Sequence, residues 1–544
     1  MKKRSRAVLT AILVAAPSAA VAALAASAAR APGARAAARS RSGGPARPAG
    51  AAPVDGMGAI RVGGVDLDTV TIPELQAHMA RGSLSSVRLT LAYLRRIRSV
   101  DPRLNAVLHT SPTALGQAVV SDARRRLGRT RGPLDGIPVL LKDNIDTRDM
   151  PTTAGSLALA GKPPRADAEL VARLRAGGAV LLGKANLSEW ANFRSMAPTS
   201  GWSAVGGQTR NPYVLDRSPC GSSAGSAAAL AASLAQVAIG TETDGSIVCP
   251  AGMNAVVGLK PSLGVVSRSG VVPVSAEQDT AGPMARTVID AALTLSVIGG
   301  VPVAPDFAEA ATRPGALRGR RIGLWRMPLF GAGVDALMTR TAERLREAGV
   351  DVVEVWLPHQ LRMAELEFPC LLSEFHRDIN AYLATRNGPR DLAELIEFNR
   401  THPRERTCFA DQELFEEALA APPATDPEYR AMRTELKDLA RRSVDEVMAE
   451  HGLDAIASPA NPPAWTIDCA RGDAEAILSS KPAAVAGYPS LSVPAGFVGE
   501  LPVGLLLTAG DGRDAHLLSL GAAVEHHLAG RRAPRYLPTL PADG

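Results

Sequence analysis

Apolar residues recur with helical spacing where the folded part of the chain begins, which we expect near Asp66. Residues 71–74 read TIPE, a capping box that predicts the start of a short helix. Within residues 85–98, apolar side chains return at every third or fourth position and predict a second helix. The chain therefore enters its fold through helices.

A different pattern follows, in which short apolar runs alternate with helical segments. Residues 136–142 read GIPVLLK, a continuous run typical of a strand that is buried on both faces of a sheet, and Lys142 lies at its end. Helix, turn and strand patterns follow over residues 171–182 and again over residues 226–240. Alternation of this kind predicts an α/β fold built in layers.

The pattern changes after Val301, where charged residues and prolines become more frequent. An apolar stripe over residues 429–451 predicts a long packed helix. Strand-like apolar runs return at residues 491–493 and 503–507. We therefore expect the final hundred residues to rejoin the sheet.

The first 56 residues have a different character. Residues 1–28 join the basic start KKRSR to an apolar run and an Ala-Ser-Ala end, the layout of a secretory signal peptide cleaved near Ala28. Residues 29–56 are dominated by Ala, Arg, Gly, Pro and Ser, a composition that predicts a disordered linker. We expect a secreted or periplasmic protein without a stable membrane anchor. A true start at Met57 would instead make it cytoplasmic.

Composition changes this picture through the distribution of charge. The 544 residues are 46% hydrophobic and 21% charged, which is typical of a globular protein with a large core. Nine Lys and Arg and no acid lie within residues 1–50, so a net charge of +6 for the whole chain leaves −3 for the rest. Nucleic acid is therefore not expected as a partner, because it requires a basic surface on the folded part.

The cysteines and histidines do not suggest metal or redox chemistry. The five cysteines are scattered, odd in number and never in a CxxC, which predicts neither a disulfide framework nor a zinc site. Cys220 and Cys249 are interpreted as packing around a serine-rich segment, and not as nucleophiles. The neighbouring His526 and His527 have no evident third ligand and are predicted at the surface. No metal and no cofactor are expected.

Two stretches, CGSSAGSAAAL and GTETDGSIVCP, contain serines that are candidate catalytic residues. Ser223 fits the G-x-S-x-G nucleophile elbow, but that elbow needs a strand running into it, and two prolines interrupt residues 210–219. A second interpretation makes Ser222 or Ser223 only the N-cap of a helix. A third interpretation combines Lys142, Ser222 and Ser246.

The third interpretation is supported by a resemblance that covers most of the chain. SPCGSSAGSAAAL followed by GTETDGSIVCP resembles the Gly/Ser-rich core of the amidase signature family, and the separation of 24 positions from Ser222 to Ser246 agrees with its spacing. GIPVLLKDNI is similar to the lysine segment of that family. GLKPSLGVVSRSGVVPVSAEQDTAGPMART and AGYPSLSVPAG are similar to its downstream landmarks. The resemblance extends from about Asp66 to about Leu528.

The resemblance implies one large α/β domain over residues 57–535, with a central mixed β-sheet covered by helices. A helix-rich and more variable segment is expected at about 301–455. The implied activity is hydrolysis of a small-molecule or peptide amide to acid and ammonia.

The resemblance also assigns roles. Ser246 would be the nucleophile, and Ser222, held by a cis peptide bond, would relay its proton to Lys142 as the base. A free lysine has a pKa of about 10.4, so Lys142 must be shifted down by roughly three units to accept a proton at pH 7. Burial at the end of an apolar strand is a way to achieve that shift.

The backbone N–H groups of Thr243, Asp244, Gly245 and Ser246 would form the oxyanion hole, by position in the family pattern. Ser223 would support the network by a hydrogen bond. The chain departs from that pattern where many members carry a glycine in place of Asp244, and also at Glu242 and Val248, which can change the polarity of the pocket.

Within the family, the motifs TETDGSIVCP, SEWANFRS and NPYVLDRSPCGSSAGSA are especially similar to bacterial peptide amidases, which deamidate peptide C-termini. Two alternatives remain: the glutaminase component of a tRNA-dependent amidotransferase, and a catalytically inactive binding protein on the same scaffold. The signal-like N-terminus and slightly acidic body disfavour the first. The presence of all three chemical groups disfavours the second.

Overall fold

A computed structural model describes most of the chain beyond its first 59 residues. The described residues are 60–300, 307–313, 315–408, 411–474 and 479–541. The predicted signal peptide (1–28) and linker (29–56) lie outside the described residues.

An 11-stranded β-sheet runs through the described chain. Its strands, numbered in chain order, are β1 (Val107–Thr110), β2 (Pro138–Lys142), β3 (Val180–Ala185), β4 (Val237–Glu242), β5 (Val257–Lys260), β6 (Thr280–Ala285), β7 (Arg321–Leu324), β8 (Asp351–Glu354), β9 (Ala455–Pro459), β10 (Ser490–Val498) and β11 (Leu501–Thr508). Their order across the sheet is β8-β7-β9-β11-β10-β5-β6-β4-β2-β3-β1. Two short hairpins, Arg61–Val62 with Val65–Asp66 and Trp202–Ser203 with Gly207–Gln208, lie outside it.

The sheet is mixed, as expected. β2 pairs in parallel with β3 and β4, and β7 pairs in parallel with β8 and β9. The remaining neighbours are antiparallel. The predicted α/β class is therefore confirmed.

Helices pack around this sheet. In chain order they are α1 (Ile72–Ala80), α2 (Ser86–Val100), α3 (Ala114–Arg126), α4 (Glu169–Ala176), α5 (Ala224–Ala231), α6 (Val248–Met253), α7 (Val288–Ile298), α8 (Phe307–Thr312), α9 (Ala332–Glu347), α10 (Gln360–Leu383), α11 (Leu392–Thr401), α12 (Glu413–Ala420), α13 (Pro427–His451), α14 (Lys481–Ala486) and α15 (Asp514–Leu528). Short 3₁₀ turns occur at Asp101–Arg103, Leu157–Leu159, Glu189–Asn192, Pro328–Phe330 and Pro403–Arg406. Among the described residues, no helix is both long and apolar enough to cross a membrane.

Helix α5 lies in the interior of the molecule. All eight of its residues are buried, and its sequence AGSAAALA consists almost entirely of small side chains. Gly225 shows why small residues are required, because a Cβ there would overlap the backbone of Ala106 and Asn186. This helix follows the serine pair Ser222 and Ser223 directly, so the pair is held inside the fold.

The central strands bring the candidate chemistry to one edge of the sheet. Because β2 and β4 are parallel neighbours, their carboxyl ends meet at the same edge. Lys142 is the last residue of β2, and Glu242 is the last residue of β4. The chain then turns through residues 243–247 into α6.

Candidate active site

Lys142 is completely buried at the end of β2, and its contacts are few and polar. Its Nζ lies 2.7 Å from the Ser222 Oγ, 2.8 Å from the Thr241 Oγ1 and 3.1 Å from the Thr241 carbonyl oxygen. Burial lowers the pKa of Lys142 to about 7, and the negative charges of Asp279 and Glu242 oppose part of that shift. The structure therefore provides an amine that can be uncharged at neutral pH.

The contacts of this amine fit its neutral form. An uncharged amine has two N–H donors and one lone pair, and the two oxygens of Thr241 can accept both donors. Asn144 Nδ2 also donates to Thr241 Oγ1 at 2.9 Å, which fixes that hydroxyl. In that form the lone pair faces the hydroxyl proton of Ser222, whereas in the protonated form the third N–H of Lys142 donates to the Ser222 Oγ. Thr241 could not be predicted as part of the site, because a threonine at a strand end carries no signal in a single sequence.

Ser222 is held by its backbone on the loop before α5. The peptide bond between Gly221 and Ser222 is cis, as the family resemblance implied. The carbonyl oxygen of Ser222 accepts a hydrogen bond of 3.1 Å from the Ser188 N–H. The loop therefore directs the Ser222 side chain to Lys142.

Ser246 occupies the turn between β4 and α6, next to the serine pair. The backbone N–H of Ser223 donates to the Ser246 carbonyl oxygen at 3.2 Å, which joins the two segments. Ser246 is 9% exposed, whereas Ser222, Ser223 and Lys142 are 0% exposed. Of these four residues, Ser246 is thus the one that a substrate can reach.

The turn after β4 is held by a buried carboxylate. Glu242 Oε2 accepts hydrogen bonds from the N–H groups of Ile247 at 2.7 Å and Val248 at 3.1 Å. Burial raises the pKa of Glu242. Gly245 has a φ of 78°, a left-handed conformation that favours glycine and allows the chain to reverse before Ser246.

Several backbone N–H groups of this turn have no acceptor among the described residues. Among the hydrogen bonds of residues 60–300 and the other described ranges, none uses the N–H of Asp244, Gly245 or Ser246 as its donor. The side chain of Thr243 is turned to Asp279, to which its Oγ1 donates at 2.6 Å. The arrangement leaves these amides available to an oxyanion.

The side chain of Asp244 is engaged on the outer side of the turn. Its carboxylate accepts a hydrogen bond of 2.5 Å from Ser480 Oγ and lies 3.4 Å from the Lys481 Nζ. Lys481 also forms an ion pair with Glu367 of α10. Gln278 Nε2 contacts both Glu367 Oε1 at 3.0 Å and the Thr243 carbonyl oxygen at 3.4 Å. This group could not be predicted from the sequence, because its members are up to 238 positions apart.

Ser223 has supporting contacts only. Its Oγ donates to the Thr241 carbonyl oxygen and accepts from the Thr241 N–H, both at 3.2 Å. It is the N-cap residue of α5, although its side chain makes no capping hydrogen bond. No strand precedes it within residues 210–219, all of which the structure describes, so the nucleophile elbow lacks its framework.

The carboxylates next to Lys142 anchor loops. Asp143 accepts a hydrogen bond from the Thr153 N–H at 3.1 Å and lies 3.3 Å from the buried Lys184 Nζ. Asp146 pairs with Arg386 at 3.0 Å. Neither carboxylate is left to act on a substrate.

The cysteines correct the sequence-based prediction. The structure pairs Cys220 with Cys249 and Cys408 with Cys469, with Cα atoms 6.2 Å and 4.8 Å apart, and leaves Cys370 as a buried free thiol. The prediction of no disulfides was wrong because both pairs are distant in sequence, 29 and 61 residues apart, and follow no short motif.

One of the two neighbouring histidines is exposed as predicted, and the other is not. His526 is exposed, whereas His527 is half-buried and its Nε2 lies 2.7 Å from the Arg344 carbonyl oxygen. Within the described part of the chain, no group of three or more His, Cys, Asp or Glu is placed to hold a metal ion.

Known proteins are similar to this chain in sequence and in fold. The family described as Amidase matches residues 88–518. The chain belongs to the amidase family. It is therefore a hydrolase of C–N amide bonds.

Several relatives of this amidase illustrate the range of the family. The crystal structure of a native peptide amidase from Stenotrophomonas maltophilia is 49% identical, with a TM-score of 0.80, over 86% of this chain and 98% of that one. A probable amidase of Arabidopsis thaliana is 36% identical over 87% of this chain and 92% of its own length. One component of the glutamyl-tRNA(Gln) amidotransferase of Chloroflexus aggregans is also 36% identical, over 85% of this chain and 96% of its own length.

Proposed function

We propose that this amidase hydrolyses the C-terminal amide of peptides through Ser246, Ser222 and Lys142. The observation that carries the mechanism is the 2.7 Å contact between the buried Lys142 Nζ and the Ser222 Oγ. The 49% identity to a peptide amidase supports the choice of substrate.

In the first half-reaction, the Ser246 Oγ attacks the carbonyl carbon of the amide. Its proton passes to the Ser222 Oγ as the Ser222 proton passes to the neutral Lys142 Nζ. The negative charge that develops on the carbonyl oxygen is stabilised by the free amides of the turn, each worth about 3 kcal/mol. The C–N bond then breaks, and the proton returns from Lys142 through Ser222 to the departing nitrogen, which leaves as ammonia.

The second half-reaction repeats these steps with water. The ester between Ser246 and the acyl group is attacked by a water molecule, whose proton passes through Ser222 to Lys142. The C–O bond of the ester breaks, and the Ser246 oxygen regains a proton. The products of the cycle are a peptide acid and ammonia.

Ammonia release tests this proposal. Purified protein is incubated with a peptide amide, with free glutamine or with a simple aliphatic amide, and Ser246→Ala serves as the inactive control. We expect ammonia from the peptide amide at a kcat/KM well above that for the other two. A preference for glutamine would favour the amidotransferase alternative, and no ammonia from any amide would favour an inactive scaffold.

We also propose that the protein is exported. The basic and apolar pattern of residues 1–28 supports export, and so do the two disulfides, which persist in oxidising compartments. N-terminal sequencing of protein recovered outside the cytoplasm tests this. We expect a start close to residue 29, and a start at Met1 or Met57 would contradict the proposal.

A further inference from the structure

A disulfide joins the two chain segments that carry the proposed serines. Cys220 lies two residues before Ser222, and Cys249 lies three residues after Ser246. Their Cα atoms are 6.2 Å apart, and both side chains are completely buried. The cross-link therefore joins the loop of the proposed relay to the turn of the proposed nucleophile.

Each half of the disulfide is coupled closely to its serine. On the nucleophile side, the Cys249 N–H donates to the Gly245 carbonyl oxygen at 2.9 Å, so Cys249 lies on the first turn after Ser246. On the relay side, Cys220 has a φ of 58°, a left-handed conformation that residues other than glycine rarely adopt. Such a conformation persists only where the surrounding structure imposes it.

Beside the disulfide, hydrogen bonds join the two segments at Ser223, whose Oγ donates to the Thr241 carbonyl oxygen and accepts from the Thr241 N–H, both at 3.2 Å. The Ser223 N–H donates to the Ser246 carbonyl oxygen at 3.2 Å, which is a long hydrogen bond. Asn254 Nδ2 donates to the Pro219 carbonyl oxygen at 2.9 Å, but Asn254 lies beyond the end of α6. The disulfide is thus the covalent restraint between the segments.

Proton transfer makes this restraint important. Two groups exchange a proton efficiently only at hydrogen-bond distance, about 2.6–3.2 Å, and a displacement of about 1 Å can reduce a rate 100-fold. Without the cross-link, Cys220 can relax from its left-handed conformation and move the adjoining Gly221 and Ser222. Ser222 would then shift relative to Ser246.

We infer that the Cys220–Cys249 disulfide is a positioning element that sets Ser222 against Ser246 for proton transfer. It acts on kcat more than on substrate binding, because neither sulfur is exposed to a substrate. This inference rests on the roles proposed above for the two serines.

The chain provides a matched control. The second disulfide, Cys408–Cys469, is also a covalent link between distant segments, because its cysteines are 61 positions apart in sequence. Neither segment carries a residue of the proposed triad or its oxyanion turn. Loss of this disulfide therefore reports the general effect of removing a cross-link.

The test compares two double variants, Cys220→Ala/Cys249→Ala and Cys408→Ala/Cys469→Ala, with the parent enzyme on one peptide amide. Peptide mapping without reduction first verifies both pairings. The kcat is expressed per folded molecule. Thermal unfolding, monitored by circular dichroism, gives the folded fraction. We expect a fall in kcat of about tenfold or more for the first variant with KM changed less than about threefold, and a parental kcat for the second.

If the first variant does not fold, the Cys408→Ala/Cys469→Ala enzyme is unfolded, reduced with a phosphine and refolded under reducing conditions, because the completely buried Cys220–Cys249 disulfide is not accessible in the folded protein. Alkylation and mass spectrometry count the thiols of Cys220 and Cys249. We expect kcat to fall with the fraction reduced and to recover on reoxidation. A parental kcat in folded enzyme that lacks the cross-link, by either route, overturns the inference.

The kcat of the Ser246→Ala variant, measured in parallel, separates this inference from the proposed function. An active Ser246→Ala enzyme would overturn the proposed nucleophile, and with it the basis of the inference. An inactive Ser246→Ala enzyme together with full kcat in the absence of the disulfide would overturn only the positioning role.

Discussion

Lys142 gains its chemical role at the expense of stability. Burial of an ammonium ion in a protein interior is unfavourable, so the fold favours the neutral amine and lowers the pKa of Lys142 from 10.5 to about 7. Asp279 and Glu242 limit the shift, because their negative charges favour the protonated form. A base that is half neutral near pH 7 is suited to general base catalysis at that pH.

The pH dependence of the reaction follows from this shift. Protonated Lys142 cannot accept a proton, so we expect kcat/KM on a peptide amide to fall roughly tenfold per pH unit below about pH 7. Residual activity of Lys142→Ala should lack this acidic limb. The measurement is kcat/KM across pH 5 to 9, and an unchanged acidic limb in an active Lys142→Ala enzyme would contradict the assignment of the base.

The same shift predicts a change in stability. The unfolded chain binds the Lys142 proton up to about pH 10.5, and the folded chain binds it only up to about pH 7. The contribution of Lys142 to the free energy of unfolding therefore becomes more favourable as the pH rises between those values. The total change in the free energy of unfolding over that range is on the order of 5 kcal/mol. We expect Lys142→Met to raise the free energy of unfolding at pH 7 by at least about 1 kcal/mol while activity is lost. Chemical denaturation at pH 7 and pH 9 checks this, since the gain should shrink at the higher pH.

The serines differ in what they contribute. Ser246→Ala removes the attacking oxygen, and we expect a loss of kcat of about 10⁴-fold or more. Ser223→Ala removes two 3.2 Å hydrogen bonds to Thr241, and we expect a loss of no more than about tenfold. Steady-state kinetics of the two variants checks the ranking. The opposite ranking would restore Ser223 as an elbow nucleophile.

At the scale of elements, the apolar pattern predicted the parts of the site that depend on burial. GIPVLLK predicted β2, with Lys142 at its end, because a strand covered on both faces must be apolar throughout. The same pattern did not predict β7 and β8, because these strands lie at the outer part of the sheet and include the charged residues Arg321 and Asp351. It also missed the partners of Asp244, because contacts between distant segments have no local signature.

The turn from β4 to α6 can be tested through Glu242. Glu242→Leu leaves the N–H groups of Ile247 and Val248 without their acceptor, and we expect a loss of about 2 kcal/mol in unfolding free energy and about tenfold in kcat. Glu242→Gln keeps an amide oxygen that can accept both bonds, so it should retain most of both. Thermal unfolding and kcat for the pair check this, and equal losses in the two variants would contradict a hydrogen-bonding role.

At the scale of the whole molecule, the family motifs indicated the fold class and the amidase activity, whereas the cysteine pattern was misleading. Motifs around Lys142, Ser222 and Ser246 could be recognised because chemistry constrains residue type and spacing together. A disulfide requires only that two cysteines lie close together in the folded protein. Those cysteines can be as far apart in sequence as Cys408 and Cys469. The three-dimensional path of the chain determines that proximity.

Removal of the Cys408–Cys469 disulfide should affect the entire fold. A cross-link between positions 61 residues apart restricts the unfolded chain, and its loss typically costs about 2–4 kcal/mol. We expect Cys408→Ala/Cys469→Ala to lower the free energy of unfolding by about that amount at a parental kcat. Denaturant unfolding of this variant and of Cys370→Ala, which removes a free thiol, provides the comparison.

The unequal exposure of the four central residues has a consequence for traffic through the site. Ser246 is 9% exposed and the other three residues are completely buried, so we expect both the amide and the hydrolytic water to approach from the side of Ser246. An amine that stays on that side can attack the acyl-enzyme in place of water and re-form the amide. Ammonia, the leaving group of the proposed reaction, is small and can diffuse away before this happens.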